Sequence, residues 1–174
     1  TMGGQGDMGG MMGGNNGMMG GERPNNRESR PMTIDEAAEA VRKYILSYEP
    51  NLKLTEVMEF TQNFYAEIEE KGSGLHAMEL LIDKYTGRVF PEMGPNMMWN
   101  TKYGHMSQMM GSYNGGPPAS VMPVTPEQSK KLAQKWLDVN LPGIGIAEAD
   151  TFYGYYTLHT LKGGKVEGML GVNG

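Results

Sequence analysis

The same helix-start signal occurs twice in this chain, 92 residues apart. Thr33-Ile34-Asp35-Glu36 and Thr125-Pro126-Glu127-Gln128 each place a Thr three residues before a Glu or Gln. In such a capping box the Thr hydroxyl accepts a backbone N–H of the first turn, and the Glu or Gln reaches back to the N–H of the Thr. Pro126 suits the first helical position, where its missing N–H costs nothing. A helix-period apolar stripe follows each box. It runs Ile34, Ala37, Ala38, Val41, Ile45 and Tyr48 in the first, and Leu132, Ala133, Trp136 and Leu137 in the second. Pro50 and Pro142 then end both helices at the same offset.

Runs of strand character come next. In the first block they are Lys53 to Thr61, Asn63 to Glu70 and His76 to Asp83. In the second they are Gly145 to Phe152, Tyr153 to Leu161 and Lys165 to Asn173. Gly72-Ser73-Gly74 and Gly163-Gly164 supply hairpin turns in matching places. Each block therefore reads helix, strand, strand, strand. A helix laid over a small antiparallel sheet is the simplest way to bury both apolar faces, so the predicted class is α+β.

The first block ends Leu80-Leu81-Ile82-Asp83-Lys84-Tyr85-Thr86-Gly87-Arg88-Val89. This hydrophobic-D-x-x-T-G-x-V ending, after a Thr-x-x-Glu helix and a strand meander, resembles the PepSY domain. The resemblance covers residues 32–92 and, more weakly, residues 124–174. The second copy reaches only Val172-Asn173-Gly174, without the further turn and strand that the pattern expects. The resemblance implies a binding or regulatory module, not a catalyst, in an extracytoplasmic setting: secreted, cell-surface or periplasmic. It also implies protease inhibition as a weaker functional reading. The chain begins at Thr1 without an initiator Met or a visible leader, and reads as a processed product.

Composition separates the rest. Residues 1–31 are a Gly/Met-rich tail, residues 93–123 a Met-rich connector, and the two PepSY-like repeats occupy residues 32–92 and 124–174, the second truncated. Of 17 Met, 6 fall in the tail and 7 in the connector. The tail has too little apolar surface to offset its backbone entropy, which predicts disorder unless something binds it. The absence of Cys excludes disulfide scaffolds, zinc fingers, iron–sulfur clusters and thiol catalysis. A net charge of −5 argues against a nucleic-acid partner. No apolar run approaches the length of a membrane span.

No catalytic signature is present. There is no G-x-S-x-G elbow, no phosphate loop and no strand-borne G-x-G-x-x-G, so the chain is expected not to be an enzyme. Glu67 and Glu69 share a strand face and read as a solvated acidic surface, beside Glu70. His76 and His159 stand singly in strands and read as surface or hydrogen-bonded residues. Phe152, Tyr153, Tyr155 and Tyr156 read as core and cross-strand pairs.

The Met residues offer the clearest chemistry. Met97, Met98, His105, Met106, Met109 and Met110 lie within 14 residues, with Trp99 as a cation-π neighbour. Thioethers are soft ligands, and with imidazole they suit Cu(I) or Ag(I), the metals expected if any is bound. Flexible packing against a partner is the competing use of such Met clusters. In the tail, Met8, Met11, Met12, Met18 and Met19 are spaced by Gly, as an assembly segment would be. Two functions follow. One is a secreted, non-enzymatic structural or binding protein whose tail docks on other copies and builds filaments. The other is an extracytoplasmic Cu(I)/Ag(I)-binding protein using the connector.

Overall fold

The computed structural model describes residues 30–104 and 121–174. The chain runs α1 (Ile34–Tyr48), β1 (Leu52–Glu59), β2 (Asn63–Glu70), β3 (His76–Asp83), β4 (Val89–Pro91) and a short α2 (Pro95–Met98). Then come α3 (Pro126–Asn140), β5 (Gly145–Thr151), β6 (Tyr155–Lys162) and β7 (Lys165–Asn173). The architecture is α+β. A four-stranded antiparallel sheet in the order β1-β2-β3-β4 carries α1, and a three-stranded sheet β5-β6-β7 carries α3. Among the described residues no helix is long and apolar enough to cross a membrane.

Both capping boxes form. Thr33 Oγ1 accepts from Glu36 N at 3.2 Å while Glu36 Oε2 accepts from Thr33 N at 2.8 Å. Thr125 and Gln128 repeat these bonds at 3.2 and 2.8 Å. The repeat extends into the packing. Ala37, Val41 and Ile45 are the buried residues of α1, and Ser129, Ala133 and Leu137, each 92 positions later, are those of α3. The helices thus turn the same face inward. The Asp-x-x-Thr-Gly stretch has a local cause: Asp83 Oδ1 accepts from Tyr85 N, Thr86 N and Thr86 Oγ1 at 3.0, 2.7 and 2.9 Å. Gly87, at φ 69°, supplies the left-handed residue that swings the chain into β4.

Strand alternation then decides what faces what. In β2, Phe64, Ala66 and Ile68 enter the core under α1 with Val41, Leu80 and Ile82. Tyr65 and Glu67 point to the opposite face. In β6, Tyr156 and Leu158 turn toward α3, and the Tyr156 hydroxyl donates to Val124 O at 2.6 Å. Tyr155, Thr157 and His159 turn the other way and bond to Glu79 and Glu67. The layers therefore stack α1, first sheet, second sheet, α3, with a polar interface between the sheets.

This interface overturns one expectation. The face that carries Glu67 is not solvated, because Glu67 is only 1% exposed. The second repeat covers it. Glu69 conforms better to the surface reading and pairs with exposed Lys53 at 2.8 Å. The aromatic run is core as expected, with Phe152 and Tyr155 fully buried and stacked at 4.7 Å. Its strand starts at Tyr155, not Tyr153, because Gly154 at φ 97° makes a turn first.

Candidate functional site

Cross-strand register lines up three carboxylates on one face of the first sheet. Glu56 of β1 pairs with Glu67 of β2, and Glu67 pairs with Glu79 of β3. Like charges placed directly opposite destabilise a sheet, so these carboxylates call for compensating partners. Glu79 is met by hydroxyls: Tyr65, Thr157 (2.7 Å) and Tyr155 (2.8 Å) all donate to it. Burial pushes its carboxyl up and outweighs these donors. The same burial, beside the Glu79 charge, holds the hydroxyls of Tyr65 and Tyr155 well above the ordinary phenol range.

Glu67 is met by two imidazoles, one from each repeat. His159 Nε2 lies 3.3 Å from Glu67 Oε1, and His76 Nδ1 lies 3.2 Å from Glu67 Oε2. Asp150, at the end of β5, closes the group: its Oδ2 is 3.2 Å from His159 Nε2 and its Oδ1 is 3.6 Å from His76 Nε2. Glu148 approaches His159 Nδ1 at 4.0 Å from the solvent side. Two overlapping sets, Glu67–His76–Asp150 and Glu56–Glu67–His159, have their ligand atoms within 4.8 Å of one another.

The electrostatics show an excess of negative charge. Burial works to raise the Glu67 carboxyl, but the hydrogen bond with His159 and the adjacent His76 imidazole overcome it and hold the group at about 2. Burial lowers His76, but Glu67 and Asp150 reverse this and leave it raised. His159 is raised first by its hydrogen bond to Glu67, against a smaller opposing effect of burial. Asp150 receives too little compensation: burial, then the Glu67 charge, lift it to about 6. Glu56 is raised for the same two reasons in the same order. Two buried atoms here, His76 Nδ1 and Asp150 Oδ2, make no hydrogen bond despite their short distances to neighbours.

Imidazole and carboxylate are the donors of zinc and other divalent first-row metals. The residues fit such an ion in number and chemistry, and both repeats contribute. Beside the cluster, a cavity of about 270 Å³ opens between the sheets, lined in part by Phe60, Tyr65, Glu92, Pro95 and Met169. Burial, then the neighbouring Glu79, lift Glu92 to about 7. Its Oε2 is the third buried atom without a hydrogen bond among the described residues.

No protein-family model matches the chain, and no curated protein sequence matches it. Among solved structures it overlaps the Bacillus megaterium YpeB C-terminal domain at 11% identity and a TM-score of 0.29. The overlap takes in 76% of this chain and 51% of that one, so this chain spans about half the length of its neighbour. A likeness of that size carries no argument about fold or function.

The connector residues singled out for soft metals fare differently. Met97 and Met98 sit on α2, the first half-buried and the second 62% exposed. Trp99 ends that helix and packs toward Gly171 of β7. The helix is docked by amides: Asn96 brackets the β3 edge through Glu79 N (3.3 Å) and Glu79 O (3.2 Å), and Asn100 donates to Ala77 O at 2.7 Å. His105, Met106, Met109 and Met110 lie outside the described residues, as do Met8, Met11, Met12, Met18 and Met19.

Sequence reasoning treated His76, His159 and Glu67 separately and missed their convergence. Asp150 and Glu56 drew no notice. One signal was available: His159 is the 92-residue counterpart of Glu67, as the two capping Thr are of each other.

Proposed function

We propose that this chain is a non-enzymatic, extracytoplasmic PepSY-like binding protein that holds a divalent first-row transition metal between its two repeats. One observation carries the reading. Glu67 and His76 from the first repeat and Asp150 and His159 from the second converge with buried atoms lacking hydrogen bonds. A cation would neutralise the acidic excess and tie the two sheets together. Ions bound only to the folded state stabilise it by mass action. Equilibrium dialysis of the full chain against Zn²⁺ and Mn²⁺, read by elemental analysis, tests this. Binding that raises the melting temperature and is lost in a His76→Ala/His159→Ala variant is expected. A metal content unchanged by that double substitution overturns it.

A second reading, self-association through the N-terminal tail into filaments, is favoured by a groove. Trp136, Leu141, Pro142 and Ile144 flank β7 at Met169 and Leu170 around about 530 Å³. Leu132 and Val139 on the same helix are also exposed. Flexible Met side chains spaced by Gly suit such a surface. The occupant proposed is the Gly/Met segment of another copy. Deletion of residues 1–21 should leave folded monomers where the parent forms assemblies visible by electron microscopy. Equal assembly by both chains rejects the tail as the docking element.

A further inference from the structure

We propose that the inter-sheet cluster holds two divalent cations, not one, with Glu67 as the shared carboxylate. The proposal rests on the cation reading above and specifies it. Its first support is the division of donors. Glu67–His76–Asp150 forms one set and Glu56–Glu67–His159 another, and only Glu67 belongs to both. The second support is the way Glu67 is turned. Its Oε2 faces His76 at 3.2 Å and its Oε1 faces His159 at 3.3 Å. Each oxygen therefore addresses a different imidazole, as a bridging carboxylate does between ions about 3.5–4 Å apart.

Asp150 also faces both imidazoles, with Oδ2 at His159 Nε2 and Oδ1 at His76 Nε2, the ring nitrogen that Glu67 leaves free. Backbone pairing fixes the outer ligand, since Glu56 is held opposite Glu67 by the β1–β2 ladder.

Mn²⁺ is the probe, because it takes oxygen and nitrogen donors and has little affinity for the thioethers of the Met-rich segments. The full chain, stripped with chelator, is titrated with Mn²⁺. Bound metal is counted by elemental analysis, and spin coupling is read by electron paramagnetic resonance. Two ions per chain with a spin-coupled signal are expected. Glu56→Gln should leave one ion per chain and abolish the coupling, and His76→Gln should do the same from the other side. Both substitutions are near-isosteric, and circular dichroism checks that each variant is folded. Saturation of the parent at one ion overturns the two-cation proposal and leaves the single-ion reading standing. Two ions retained in Glu56→Gln also overturn it. No binding at all overturns both.

Discussion

Glu67 and His159 occupy the same position in the two repeats, 92 residues apart, and their side chains meet at 3.3 Å across the sheets. This interface position therefore carries an acid in one copy and an imidazole in the other. With the same residue in both copies, like would face like. Their difference turns a repulsive contact into a charge-assisted hydrogen bond, and His76 reinforces it from the neighbouring strand.

Removing Glu67 takes a buried hydrogen-bond partner from His159, but Asp150 stays 3.2 Å from the same imidazole nitrogen. Glu67→Ala should therefore destabilise the metal-free chain by about 1–3 kcal/mol in urea melts. In a double-mutant cycle with His159→Ala the coupling should lie at about 1–3 kcal/mol. A loss below about 1 kcal/mol for Glu67→Ala would show that the pair does not hold the sheets together.

The helix starts call for a smaller effect. Thr33→Ala and Thr125→Ala each remove an acceptor at 3.2 Å from an otherwise unpaired first-turn N–H. Each should cost about 0.5–2 kcal/mol. Thermal melts that show no loss for either would place the helix starts elsewhere.

These caps were legible because they are local: a Thr, a Glu or Gln three residues on, and an apolar stripe determine them. The strand positions were legible for the same reason, through alternation and turn glycines. The polar interface was not. Alternation in Asn63–Glu70 says only that Tyr65, Glu67 and Glu69 share a face. Water or a second sheet can cover such a face equally well. The second strand of the second repeat held the clue in Tyr155–Thr160, where neither face carries Asp, Glu, Lys or Arg, as on a strand covered on both sides. Reading that strand against its 92-residue counterpart would have set His159 beside Glu67. Asp150 was beyond reach, since a bulge between Ile146 and Ala149 resets the alternation of β5 before it.

Gly154 makes a test of how the connector is locked to the second repeat. It sits at φ 97°, and a Cβ there would press on the carbonyl oxygen of Trp99 and on Thr101 Cγ2. Beside it, Thr101 N donates to Tyr153 O at 2.9 Å, and Gly154 O accepts from Gly174 N at 3.0 Å. Gly154→Ala combines backbone strain with displacement of the Trp99–Thr101 segment. A loss of about 2–3 kcal/mol is expected in chemical denaturation. A neutral result would mean that the connector can shift away at no cost.

Glu92 gives the fold a pH dependence whose sign can be worked out. Burial and the adjacent Glu79 raise its carboxyl to about 7 from 4.5. Between those two values the folded chain holds a proton that the unfolded chain has released. Stability must therefore fall as pH rises from about 4.5 to about 7, and stay lowered above that. The full shift would correspond to about 3 kcal/mol, but solvent still reaches this half-buried side chain, so about 1–2 kcal/mol is the expected size. Glu92→Gln keeps the shape and removes the charge. The variant should match the parent near pH 4.5 and exceed its stability by about 1–2 kcal/mol at pH 8, measured by urea denaturation at both values. Equal stabilities at pH 8 would mean that Glu92 ionises freely and that its buried oxygen finds a donor in solution.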